Sequence, residues 1–151
     1  MKITSEVVKE LRDRTGISVM ECKKALQEAD GDLDKALAIL GKKSTISAAK
    51  KADRVLAAGA VLAYIHSNHQ VGALVVLLSE TDFVSKNEEF SALGRDIAMH
   101  VAAMHPQDLA ELLAQPFIKD PSKTIKDLLS SATQKFGERV EVREFSVFGV
   151  K

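Results

Sequence analysis

The chain has 151 residues, 46% hydrophobic and 28% charged, the make-up of a folded soluble protein: one domain, or a small module joined to a compact core. Its 21 Lys and Arg balance its 21 Asp and Glu, which argues against the general nucleic-acid or membrane-surface binding that a positive surplus would bring. A single cysteine, Cys22, leaves no intramolecular disulfide. The opening "MKITSEVVKE" lacks the apolar segment of a secretion signal, and no apolar run reaches membrane-spanning length, so a reducing cytoplasm is the expected setting.

Residues 1–41 read as three short helices. Ile3, Val7, Val8 and Leu11 fall at helical spacing behind Thr4, a candidate cap. "TGIS" breaks the pattern, and Ser18 followed by Glu21 fits a capping box opening a helix that carries Met20, Ala25, Leu26 and Ala29. "DGD" stops it, Asp32 caps a third helix with Leu33, Ala36, Leu37 and Leu40 inward, and Gly41 is expected to close that helix. So small a unit buries little apolar area, which suits a docking module better than an active site. Residues 42–57, rich in Ala and Lys, read as a helical linker whose Lys42, Lys43, Lys50 and Lys51 form a solvated face.

Residues 58–151 change character. Two β-rich runs flank "SNHQ", an antiparallel hairpin whose nearly all-apolar second run reads as a central strand. Phe90, Leu93, Ile97, Val101 and Met104 predict a helix over 88–104 that ends at Pro106. "QPFIKDPS" is turn-rich. Ser122 is the expected cap of a helix carrying Ile125, Leu128, Leu129 and Ala132. In the last strand, "RVEVREFSVFGV", the alternation slips between Val142 and Phe145, which a bulge or burial of both faces would explain. The fold class is therefore α+β: three helices, a helical linker, then a small antiparallel sheet packed with helices.

No enzyme motif stands out. The eight glycines form no phosphate-cradling loop. His66 and His69 lack two further zinc ligands, and His100 and His105 suit hydrogen-bonded positions at a helix end. Glu80, Asp82, Glu88 and Glu89 make an acidic cluster with no sign of a pocket to drive their pKa values apart. Cys22 reads as a small core residue. Neither a metal nor a cofactor is expected. "ETDFVSKNEEF" leaves two readings open: Thr81 and Asp82 cap a turn while Phe83 tucks into the core, or Asp82 and Phe83 are presented to a partner.

Family resemblance adds what periodicity does not. "LRDRTGISVMECKKALQEADGDLDKAL", "AAKKADRVLAAGAV", "SETDFVSKNEEF", "IAMHVAA", "QPFIKDPSKTIKDLL" and "KFGERVEVREF" together resemble, in order and over nearly the whole chain, the bacterial elongation factor Ts family, guanine-nucleotide exchange factors for elongation factor Tu. The resemblance implies that the first three helices form a ubiquitin-associated-like module. It also implies that Thr81, Asp82, Phe83 and Val84 form a loop intruding near the GTPase's magnesium and nucleotide site. Arg12, Val19 and Met20 match docking positions, His66 matches a Tyr-x-His contact, and Phe136 with Gly137 matches a contact loop. Longer members carry two core modules, or a helical insertion before "QPF". A single module bearing both "TDFV" and "YIH" implies a homodimer in a two-plus-two complex. The resulting expectation is a non-enzymatic exchange factor that binds no nucleic acid directly and no membrane. Two other readings are a pure interaction module for nascent chains or another partner, and a hydrolase using the acidic cluster.

Overall fold

The structure, a computed structural model, describes residues 2–151. Helix α1 (Ser5–Thr15) starts at Thr4, whose side chain accepts the Val7 N–H, and ends at Gly16 in the left-handed region, φ 69°, with its N–H on the Arg12 carbonyl. Helix α2 (Val19–Glu28) starts at Ser18, which accepts the Glu21 N–H. The return half of the expected capping box is not formed, and the Glu21 carboxylate lies 3.7 Å from Lys24 Nζ. Helix α3 (Leu33–Lys50) is capped by Asp32, which accepts the Lys35 N–H at 3.1 Å.

Gly41 does not close α3. A mid-helix glycine costs only about 1 kcal/mol, and the turns beyond it are held by packing on the core: buried Ser44 donates to the side-chain carbonyl of Gln134. The third helix and much of the expected linker are thus one rod. The interior of this part is small and aliphatic, with Leu11, Cys22, Ala25, Leu26 and Ala36 fully enclosed. Met20, grouped by spacing with the inward residues, lies outside, and Cys22 takes the inward place.

Strands β1 (Ala58–Ile65) and β2 (Val71–Ser79) form the expected hairpin. There follow α4 (Asp82–Ser85), α5 (Glu88–Met104), α6 (Leu109–Ala114), the small hairpin of β3 (Pro116–Phe117) and β4 (Asp120–Thr124), α7 (Ile125–Phe136) and β5 (Glu141–Gly149). The sheet order is β1-β2-β5, all antiparallel, with apolar β2 in the centre. Helix α5 packs on the inner face, which Val75, Leu77, Phe90, Ile97 and Val101 fill. Gly94 permits this approach: a Cβ there would stand 2.4 Å from Leu62 Cγ.

The slip in the last strand is a bulge. Val76 faces Glu144 while Leu77 faces Val142, which leaves Arg143 as the extra residue. The cap of α7 is Thr124, in a full capping box with Asp127, and not Ser122. Ser122 lies within β4 and turns back onto Asp120 Oδ1. Helix α6 and the β3–β4 hairpin, read from sequence only as a connection, complete the α+β arrangement.

Candidate functional site

Strand β2 delivers the chain into a tight corner. Thr81 precedes α4 in extended conformation, yet its hydroxyl makes no capping bond. It donates instead to Glu138 Oε2 at 2.7 Å. Glu138 Oε1 accepts two successive backbone N–H groups, from Glu80 at 3.2 Å and Thr81 at 3.0 Å. The exchange is reciprocal, because Glu80 Oε2 accepts the Arg139 N–H at 2.5 Å. Around it, Arg54 Nη1 lies 3.5 Å from Glu80, and Arg139 grips both oxygens of Glu141 while donating to the Arg54 carbonyl.

The corner sorts its residues. Phe83 is 93% exposed, whereas Val84 and Ser85 are buried. Successive helical residues are about 100° apart around the axis, so one turn can face solvent at one position and the core at the next. Val84, grouped with Thr81, Asp82 and Phe83 by resemblance, therefore anchors the turn and presents nothing outward. Asp82 is exposed beside Phe83, and both line a shallow groove with Lys86 and Asn87.

Of the second loop that the resemblance marks as a contact, Phe136 is half-buried, edge-on to Phe90 at 6.2 Å between ring centroids, with Lys135 over its ring. Gly137 is exposed and closes α7 at φ 70°, a conformation that favours glycine. This puts Glu138 directly against the Thr81 corner, so the "KFGE" and "TDFV" elements form one surface. Arg12 lines a polar cleft with Asn87, Lys135 and Phe136, which brings α1 to its edge. Val19 and Met20, 51% and 67% exposed, occupy the first two positions of α2.

His66 lies elsewhere. The hairpin pairs Ala58 with Ser79 at one end and Ile65 with Gly72 at the other. At about 3.4 Å per residue, this separates His66 from Thr81 by roughly 25 Å. His66 is exposed, and its Nδ1 is 2.9 Å from the Tyr64 hydroxyl. Between these ends the outer face of the sheet bears exposed Val61, Ile65, Leu74 and Phe148.

Cys22 and His100 occupy structural positions. Burial raises the Cys22 thiol pKa, against thiolate chemistry. His100 is fully enclosed and burial lowers its pKa; Nδ1 accepts the Ile118 N–H at 3.3 Å, so Nε2 carries the proton and donates to Gln115 Oε1 at 2.9 Å. Within the acidic cluster, Glu80 and Glu89 pair with Arg54 and Lys135. Among the described residues no group of three or more His, Cys, Asp or Glu is arranged to hold a metal ion, and no helix is long and apolar enough to cross a membrane. Sequence reasoning missed Glu138. Its only local signal was an acid directly after a helix-closing glycine.

The family model described as Elongation factor TS matches residues 80–151. Over 191 aligned positions the chain is 39% identical to the elongation factor Ts of Acetivibrio thermocellus, covering 97% of this chain and 89% of that protein. It is 40% identical over 191 positions to that of Carboxydothermus hydrogenoformans, covering 97% and 88%. For that of Thermodesulfovibrio yellowstonii the identity is 39% over 194 positions, covering 99% and 97%. These alignments are longer than the 151-residue chain, so the relatives carry a stretch that it lacks.

Proposed function

The chain belongs to the elongation factor Ts family, and from that premise we propose that it is a guanine-nucleotide exchange factor for elongation factor Tu in translation elongation. The observation that carries the reading is Phe83, a bare aromatic on a corner held from outside. An exposed phenylalanine gains apolar burial only when a partner covers it. Arg12, Val19 and Met20 dock the first module on the GTPase. Phe83 wedges beside its nucleotide site while Asp82 competes for polar groups there.

Mg²⁺ holds nucleotide phosphates only in near-ideal octahedral geometry, so a small displacement of a switch element loosens both ion and GDP. By linkage, nucleotide weakens the factor's binding by the factor that the protein weakens nucleotide binding. No covalent bond is made or broken, so the protein is not an enzyme in the ordinary sense. The test is release of labelled GDP from elongation factor Tu: faster loss on adding this protein supports the reading. Binding without faster loss would leave a pure interaction module.

The finer reading is a homodimer in a two-plus-two complex. Phe83 and His66 lie at opposite ends of the hairpin, and the outer sheet face offers Val61, Ile65, Leu74 and Phe148 for a second sheet to cover. One protomer then supplies Phe83 to a GTPase and its partner supplies His66. Light scattering at micromolar concentration decides this, since a 16 kDa species with full exchange activity would refute the pair.

A further inference from the structure

Helix α4 has four residues, too few to hold itself. Helix nucleation is unfavourable, and a single turn persists only when something outside fixes it. Val84 gives one anchor, from the core side. On the other side, the residue before the turn has surrendered its capping hydroxyl, and three donors of the corner converge on one carboxylate from a distant part of the chain. That carboxylate is itself fixed. Glu138 follows the left-handed Gly137 that closes α7, and Arg139 is tied by its backbone N–H to Glu80 and by its guanidinium to Glu141.

We propose that Glu138 is a positioning residue for exchange: its carboxylate clamps the Glu80–Thr81 corner and holds Phe83 outward, ready to intrude. Without the clamp, the two N–H groups and the hydroxyl turn to water, the corner loosens, and Phe83 is no longer held in one outward position. Hydrogen bonds to a charged acceptor are the stronger ones, and here three share one acceptor. The clamp also makes the surfaces around Phe83 and Gly137 one rigid unit, so both meet the partner in fixed relation.

The inference rests on the exchange reading, and the experiment separates the two. The full-length protein, Glu138→Ala and Glu138→Gln are titrated against elongation factor Tu loaded with labelled GDP, and amide hydrogen exchange at residues 80 and 81 is followed in the free proteins. Gln keeps the shape: its carbonyl accepts the two N–H groups and its NH₂ donates to the Thr81 hydroxyl.

For Glu138→Ala the saturated release rate falls about tenfold while the half-saturating concentration shifts less than about twofold, because the first module's Arg12, Val19 and Met20 still dock. Amide protection at both positions is lost. Glu138→Gln restores protection and most of the rate. Unchanged amide protection in Glu138→Ala overturns the clamp. So does a lowered thermal midpoint that Gln fails to restore, which makes Glu138 a folding residue. If the parent protein does not accelerate GDP release, the exchange reading falls, and the amides alone decide whether Glu138 holds the corner.

Discussion

Helices α2 and α4 open alike and are held in opposite ways. Each follows a hydroxyl residue, Ser18 or Thr81, and each exposes a large apolar side chain at its second position, Met20 or Phe83. Ser18 turns its hydroxyl onto its own helix, while Thr81 gives its hydroxyl to Glu138. Length explains the difference. Helix α2 has ten residues and buries Cys22, Ala25 and Leu26 against its neighbours, so local capping suffices. Helix α4 has one turn and depends on contacts from the rest of the fold. A docking surface can be built on a self-sufficient helix, whereas a projecting wedge needs an outside brace.

Phe83→Ala tests this contrast most strongly. Truncating a central interface aromatic costs about 2 kcal/mol or more, so GDP release is expected to fall about thirtyfold. At 93% exposure the ring supports no core, and the thermal midpoint stays unchanged. A midpoint many degrees lower, with release per folded molecule intact, would make Phe83 a packing residue and break the comparison. Its neighbour should behave in reverse. Val84→Ala removes two buried methyl groups, costs about 2 kcal/mol and lowers the midpoint by about 6 °C, while release per folded molecule stays well above that of Phe83→Ala.

Ser18→Ala sharpens the other half. Loss of an N-cap costs about 1 kcal/mol, or about 3 °C in a chain of this size. If α2 serves docking alone, the half-saturating concentration rises while the saturated release rate holds. A fall in the saturated rate instead would mean that the first module takes part in exchange itself.

What was legible in the sequence follows the same division between local and distant causes. The β1–β2 hairpin, central β2 and helix α5 announce themselves in apolar runs and 3.6-residue spacing, and the bulge at Arg143 shows as a broken alternation. The run of α3 through Gly41 was hidden, since the packing that carries it involves Gln134, 90 residues on. The cap of α7 is readable in principle, because Thr124 with Asp127 is a Thr-x-x-Asp signal, whereas Ser122, the expected cap, lacks an acid three residues on. The exposure of Phe83 came from family resemblance, since apolarity alone favoured burial. The inward turn of Val84 and the clamp from Glu138 were illegible. The first depends on core packing and the second on a contact with the α7–β5 connection 57 residues away.

The last expected effect concerns a residue buried beneath α5, away from the surface around Phe83. His100 is enclosed in the core that carries α4's neighbour α5, with a donor already facing Nδ1, so a proton arriving there would meet the Ile118 N–H. Burial holds its pKa below the ordinary 6.5. Above pH 6.5 both folded and unfolded chains hold it neutral, and it contributes no pH dependence. As pH falls below 6.5 the unfolded chain takes up a proton that the folded chain refuses, so stability drops, by at most about 1.4 kcal/mol per pH unit, until the folded pKa is passed and the loss levels off. Urea midpoints at pH 7.5 and 5.5 measure it, with His100→Gln as the reference that lacks the titrating ring. The difference between the two slopes isolates His100 from the carboxylates, which titrate in both proteins. Equal slopes would mean that the ring is protonated in place, with the Ile118 N–H turned away. The core beneath α5 would then yield to a single proton, and its rigidity would not account for the fixed position of Val84.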